Sequence, residues 1–599
     1  MRTYFIKYTS TFLLLLASLQ LLAQSADDAI SAQHFFENGD YNSAIPLLEK
    51  LYQHNPGNII YYNNLLTSYV KIKRLDSAES LINSTYTKYP YRTSCLVDQG
   101  YIEKKKGNRK KSEEYYNEAI NKVTERPNSA HSISNQFQKY LETEWALKAY
   151  ITAENYNSTL NFAIQKANLY GELGNVDSML SNYFVLIEKQ PERKNAVKRY
   201  LQNFIKQNPS PEINEKVKNT ILLKIQETNE PAFSELLLWY FTEKKKYDSA
   251  FVQAKSLYKR NYSDLKIIQF LGEDALKVGQ KGTAEKCFKY VRTEDQSGEN
   301  YFKATKSLLE MQEDKAKNKM SHDEIITEYQ EAIKKEPLNF EHFSLILSYA
   351  EFIAFVTNNS DKALEILEKE TTPYKQYDNI IASKYILEGD IYMIKQEFTK
   401  SFLAYQKAET WTKDQYVADE AKFKGVKVAF YKGDFKWALG QAKVLKKSVS
   451  KWYANDSAEL LITLQNSYSS DSSDVPLKLY AKADLLKMQG QNDSSYAYYN
   501  QIIQSFPNHY LVPTSLYAQS DILEKSMAYN RSIETLKTLY SKFPDNNLAP
   551  FALLRLSEVY LHKLKNEEEA KEWLRELLLK FPDSTLAENA RELYDEIEN

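Results

Sequence analysis

From residue 29 onward, small and apolar residues fall at Ala32, Phe35, Gly39, Tyr41, Ala44, Leu48 and Leu51, and Pro56 follows. The three-to-four spacing predicts one apolar face on each of two short helices. Gly39 sits where the chain must reverse between them, and Pro56 closes the second because the residue before a proline is pushed away from α geometry. The same order recurs 34 residues on, with Ala44 followed by Ala78 and Pro56 by Pro90. In that second copy Leu66, Tyr69, Ala78 and Ile82 take the earlier roles, and a third copy carries Gly100, Gly107, Ser112, Tyr116, Ala119 and Pro127. The predicted elements are therefore helices throughout, arranged as tandem helix-turn-helix units.

The residue types have a mechanical reason. Small side chains in the middle of the first helix (Ala32, Gly100) and early in the second (Ala44, Ala78) let the two helices approach closely, and large apolar side chains fill the spaces between units. A 34-residue helix-turn-helix with these positions resembles the tetratricopeptide repeat. The resemblance extends along most of the chain, through Ala167, Gly174 and Pro191; Tyr247, Ala250 and Leu257; Gly272, Gly279, Ala284 and Phe288; Tyr329, Ala332 and Pro337; Tyr349 and Ala363; Gly389, Ser401, Tyr405 and Ala408; and Gly433, Ala438 and Ala442. It implies an all-α fold, an α-solenoid of tandem repeats forming a superhelix, with protein partners held in the groove lined by the first helices.

Phe506-Pro507, Phe543-Pro544 and Phe581-Pro582 end the last three units at a slightly longer period, with Ser495, Ser532 and Ala570 as the small residues. This stretch, about 476–599, is similar to the tetratricopeptide modules of bacterial outer-membrane assembly lipoproteins and of periplasmic cell-division coordinator proteins. The lipoproteins' acylated N-terminal cysteine has no counterpart here. Elsewhere the pattern is interrupted. Met179 and Ile325 stand where small residues belong, Pro209 and Pro211 suggest a bend, and 294–323 and the polar run 467–474 are irregular. The expected organisation is a signal peptide at 1–23, an N-terminal solenoid at 24–295, a middle solenoid at 296–466, a polar joint at 467–475 and a C-terminal solenoid at 476–599.

Composition narrows the function. With 78 Lys and Arg against 79 Asp and Glu in 599 residues, no broad basic field exists, and nucleic acid is not an expected partner. Arg2 and Lys7 followed by an apolar run from Phe12 to Leu22 read as a cleavable secretory signal ending near Ala23. That run is shorter than the roughly 20 residues that cross a bilayer, so no direct membrane insertion is expected after cleavage. The expected location is periplasmic, any membrane association coming only through a partner at the outer membrane. The two cysteines, Cys95 and Cys287, have no ligand-like spacing and are expected as helix residues.

Nothing local points to catalysis. The seven histidines form no pair at ligand spacing, and phosphate-loop, dinucleotide and nucleophile-elbow motifs are missing. The expectation is no catalytic residue, no cofactor and no metal. Glu567 to Glu569 suit a helix start, and Lys104 to Lys106 and Lys244 to Lys246 suit helix ends. Tyr69, Tyr170, Tyr392 and Tyr560 fall at interior positions. On the first helices of the last units, Tyr480, Tyr517 and Leu554 recur at 37-residue intervals, as do Asp484, Asp521 and Glu558, and Asp390 is placed equivalently earlier. Residues four apart share a helix face, so these would align an apolar row beside an acidic row suited to a basic amphipathic segment. Ala29, Gln33, Phe36, Asn63, Thr67 and Lys71 occupy the corresponding N-terminal positions, without the lysine and asparagine set of chaperone-binding repeats. The expected function is a non-enzymatic envelope scaffold. The alternatives are a peptidoglycan- or surface-glycan-associated repeat protein and an enzyme with a dispersed active site.

Overall fold

Glycine at the first-helix small position is required by the ring it faces. A Cβ on Gly100 would stand 2.3 Å from the Tyr116 ring, and one on Gly389 would stand 2.3 Å from that of Tyr405. Gly272 meets Phe288 in the same way, at 2.6 Å. In each pair the aromatic residue comes from the second helix of the unit, so the first helix is notched to receive a ring. In two units the early second-helix position is a serine whose hydroxyl bonds back across the same contact: Ser401 donates to the Gly389 carbonyl at 2.8 Å and Ser495 to that of Ala483 at 2.7 Å. The turns behave as their residues dictate, with Gly39 at φ 77° and Gly107 at φ 88°.

The computed structural model describes residues 27–313, 319–374, 378–448, 451–470 and 473–598. The expected signal peptide lies outside them. The described residues are α-helices joined by short turns and a few 3₁₀ and π segments, with no strand among them. The fold is an α-solenoid of helix-turn-helix repeats. By internal contacts the chain divides between Ser263 and Asp264 into two compact units. This division precedes the one expected at 296. Lys281–Asp295 and Glu299–Glu313 pack directly on each other inside the second unit, the chain turning at Gln296 and Gly298.

The first unit stacks helix pairs from 27–37 with Tyr41–His54 through to Pro231–Glu243 with Tyr247–Lys259. Pro209 and Pro211, expected to mark a bend, lie between Lys194–Gln207 and Pro211–Glu227, and the second of these helices packs chiefly on Pro231–Glu243. Pro211 takes the first helical turn and the Ser210 side chain caps the Ile213 amide. Met179 is accommodated because Gly171 faces it across the pair, its absent Cβ leaving room 3.1 Å from the Met179 sulfur.

The second unit begins at Lys266–Lys277 and ends with the single helix Ala587–Glu598. Its last three pairs have second helices Asn492–Ser505, Tyr529–Lys542 and Glu567–Lys580, each ending immediately before a Phe-Pro dipeptide. One helix departs from the alternation. Lys451–Ser470 follows the pair Gln415–Lys432 and Phe435–Ser448 but has no second helix of its own before Val475–Met488 begins. Ser457, Leu461 and Leu464 form its buried face, which carries the helix through 467–470. The polar joint expected over 467–475 is thus partly helical, and Tyr468 donates to Asp474 at 2.9 Å within it.

Candidate functional site

First helices of successive pairs in the second unit touch in a row: Phe340–Glu351, Asp378–Ile394, Gln415–Lys432, Val475–Met488 and Leu511–Lys525. The unpaired helix Lys451–Ser470 packs along Phe435–Ser448 and also touches Gln415–Lys432 and Val475–Met488. Two adjoining cavities open along this row. The larger, about 460 Å³, runs from Glu351 and Phe355 past Asp390 and Lys424 to Tyr453 and Asp456. The other, about 340 Å³, lies between Phe423, Glu459, Tyr480 and Asp484. Phe423, Lys427 and Asp456 border both, so the cavities form one groove.

Three expected site residues line this groove: Asp390, Tyr480 and Asp484. Two of the carboxylates are already engaged. Asp390 accepts from the Tyr405 hydroxyl at 2.7 Å and from Lys424 Nζ at 2.6 Å, and Asp484 accepts from the Tyr431 hydroxyl at 2.6 Å. Burial pulls Lys424 towards neutrality, but Asp390 and Glu420 more than offset it and hold the ammonium above the ordinary lysine range. Burial and the Asp484 charge hold the Tyr431 phenol far above its ordinary range, so it remains a hydrogen-bond donor. Desolvation raises the carboxyl of Glu351 at the groove's end, despite the opposing charge of Lys306.

Tyr517, Asp521, Leu554 and Glu558 continue the row beyond these cavities. Asp521 is the centre of a charge network, 2.7 Å from Lys487, 3.2 Å from Lys525 and 3.0 Å from Arg555. The Arg555 guanidinium lies over the Tyr517 ring at 5.2 Å. Leu554 is buried in the core and Glu558 is exposed. The recurring acidic positions therefore serve largely to join one repeat to the next. The first unit shows the same use of a carboxylate: Asp98, only 1% exposed, accepts from Tyr62 at 2.7 Å and also from Tyr140 and Gln136.

Repeat spacing did not reveal Phe423, Lys427, Tyr453, Asp456 or Glu459. The last three come from the helix that belongs to no pair. The signal for it is local: Ser457, Leu461 and Leu464 mark an inward face, and Asp456 and Glu459, three apart, mark a shared outward one. Cys95 and Cys287 are both buried, and burial pushes the Cys95 thiol up to about 12, where it is not a nucleophile at neutral pH.

Family models for the tetratricopeptide repeat match residues 35–85, and again 479–509 and 551–584. These segments are tetratricopeptide repeats. The two C-terminal matches contain Tyr480, Asp484, Leu554 and Glu558. Similar solved structures include Naa15/Naa10 bound to HypK-THB, at 13% identity over 96% of each chain and a TM-score of 0.26. The APC/C hetero-tetramer Cut9-Hcn1 matches at 13% identity over 97% of this chain and 98% of that one, with a TM-score of 0.22. The tetratricopeptide domain of P58(IPK) matches at 14% identity over 79% of this chain and 97% of that one, with a TM-score of 0.18. No curated protein sequence matches.

Proposed function

We propose that this chain is an exported, non-enzymatic scaffold of the bacterial cell envelope that holds partner proteins along the first-helix row of its second unit. The tetratricopeptide repeats support an interaction scaffold, and the groove between Glu351 and Asp484 is the observation that carries the binding role. It joins aromatic walls to charged groups on the row of helices that this repeat uses to hold peptides. Among the described residues, no group of three or more histidine, cysteine or acidic side chains is arranged to hold a metal, and no helix is long and apolar enough to cross a membrane.

Export is supported by Arg2, Lys7 and the apolar run Phe12 to Leu22. A periplasmic protein would reach the outer membrane through the partner it holds. In-cell photo-crosslinking from Tyr453, Asp484 and Tyr517, followed by mass spectrometry, tests the scaffold. Recovery of the same few envelope proteins from adjacent positions is expected, and recovery of no defined partner from any of them sinks the reading. Fractionation tests the location: the processed chain, cut near Ala23, should be released with the periplasm, and an unprocessed cytoplasmic chain would overturn export.

A further inference from the structure

The geometry points to an arginine-bearing, otherwise apolar peptide segment of a partner protein as the occupant of the groove, which rests on the scaffold reading above and makes it specific. Charge is the first argument. Glu351, Asp456 and Glu459 line the groove and have no ion-pair partner among the described residues. The groove's two lysines offset these three carboxylates only in part. Lys424 is committed to Asp390 and Glu420, at 2.6 and 3.2 Å, and Lys427, over the Tyr431 ring at 5.4 Å, brings a single positive charge. An acidic segment would meet uncompensated carboxylates, and a wholly apolar one would strip water from them without replacing it.

Ring placement is the second argument. Phe423 and Tyr453 pack 5.9 Å apart beside Asp456, and Tyr480 stands with Glu459 in the adjoining cavity. A guanidinium can stack on such a ring while its edge donates to a neighbouring carboxylate, whereas a lysine ammonium offers only a point charge. The larger cavity also presents Met393 and Met488, whose flexible thioethers accept an apolar side chain of varied shape. The occupant thus places an apolar side chain against Met393 and Met488, and an arginine against Asp456 and Glu459.

The test uses the purified protein and a short fluorescein-labelled peptide of alternating leucine and arginine, followed by fluorescence anisotropy. Two further peptides replace arginine with glutamine or leucine with serine. The leucine-arginine peptide should bind, and both replacements should weaken it roughly tenfold or more. The double variant Asp456→Lys/Glu459→Lys should do the same, while Glu567→Lys/Glu568→Lys, at a helix start outside the groove, should leave affinity unchanged. Both Asp456 and Glu459 are exposed, so thermal melting should be unaltered; if it is not, Asp456→Asn/Glu459→Gln replaces that variant and should weaken binding in the same direction. Equal binding of the glutamine peptide, or equal loss from both double variants, overturns the inference. If crosslinking from Tyr453 recovers a partner while the leucine-arginine peptide fails to bind, the scaffold stands and this assignment falls; if crosslinking recovers nothing, the scaffold itself falls.

Discussion

Lys424 Nζ lies 2.6 Å from Asp390 Oδ2 across 34 residues, one repeat of the solenoid. Both side chains are about a quarter exposed, at 26% and 25%, so the pair is only partly screened by water. Removing one partner leaves the other desolvated, and Lys424→Met should destabilise the second unit by about 1–2 kcal/mol after allowance for that exposure. Adding Asp390→Asn should return part of the loss, since only Glu420, the other partner of Lys424, is then left without its counter-charge. Urea unfolding of the two single variants and the double variant measures the coupling. Strictly additive losses would show that the contact does not join the repeats energetically.

Gly389 and Gly440 make opposite predictions for the same substitution. Gly389→Ala drives a Cβ to 2.3 Å from the Tyr405 ring, whereas a Cβ at Gly440 meets nothing within 4 Å. Overpacking should cost about 1–3 kcal/mol at Gly389. Gly440 lies on the exposed side of the helix Phe435–Ser448, so alanine there should stabilise by about 0.5–1 kcal/mol through helix propensity. Thermal melting of the two variants should shift in opposite directions. A lower melting temperature for Gly440→Ala would contradict the open packing at that site.

The same two glycines show which parts of the molecule sequence can disclose. Gly100, Gly272 and Gly389 are readable because each faces a ring at the same separation along the chain, a spacing that the repeat brings back from unit to unit. Local stop signals are equally plain, as at the Phe-Pro dipeptides. The groove is less legible because its acidic residues look alike in one dimension. Asp390 and Asp521 carry the same spacing signal as an open binding row, yet their partners Lys424 and Arg555 come from the following repeat and are identified only once the helices stack. Tyr453 and Asp456 are harder still, since Lys451–Ser470 stands outside the period that guides the eye.

His342 gives the second unit a pH dependence of definite sign. Its Nε2 donates to the Ile333 carbonyl at 2.8 Å, leaving Nδ1 to accept from the Tyr374 hydroxyl, an arrangement that requires the neutral ring. Burial lowers its pKa below the ordinary 6.5, outweighing the Ile333 carbonyl and Glu370, which favour the charged form. The unfolded chain therefore takes up the proton first. The stabilisation is fully present above 6.5 and is lost as pH falls from there through the depressed folded value, at up to about 1.4 kcal/mol per pH unit. His342→Gln should cost about 1–2 kcal/mol at neutral pH and flatten that slope. Unfolding free energies of both proteins across mildly acid pH check this. Parallel curves would exclude His342 as the cause.

Arg555 should not tolerate lysine, despite the conserved charge. Its Nε donates to Glu524 Oε1 at 2.7 Å and its Nη2 to Asp521 Oδ1 at 3.0 Å, a two-pronged geometry that an ammonium cannot reproduce. Arg555→Lys should lose about 1–2 kcal/mol of stability. The acid limb gives an independent reading of the same network. Burial alone would raise the Asp521 carboxyl, but hydrogen bonds from Lys487 and Arg555, with the Lys525 charge, hold it well below the ordinary 3.8. A carboxylate depressed on folding stabilises above its unfolded value and loses that contribution as pH falls through the folded one. The stability gap between wild type and Asp521→Asn should therefore stay constant while pH exceeds about 3.8 and close below it. A gap that persists unchanged into strong acid would mean that Asp521 acts through packing, with its charge playing no part in joining these repeats.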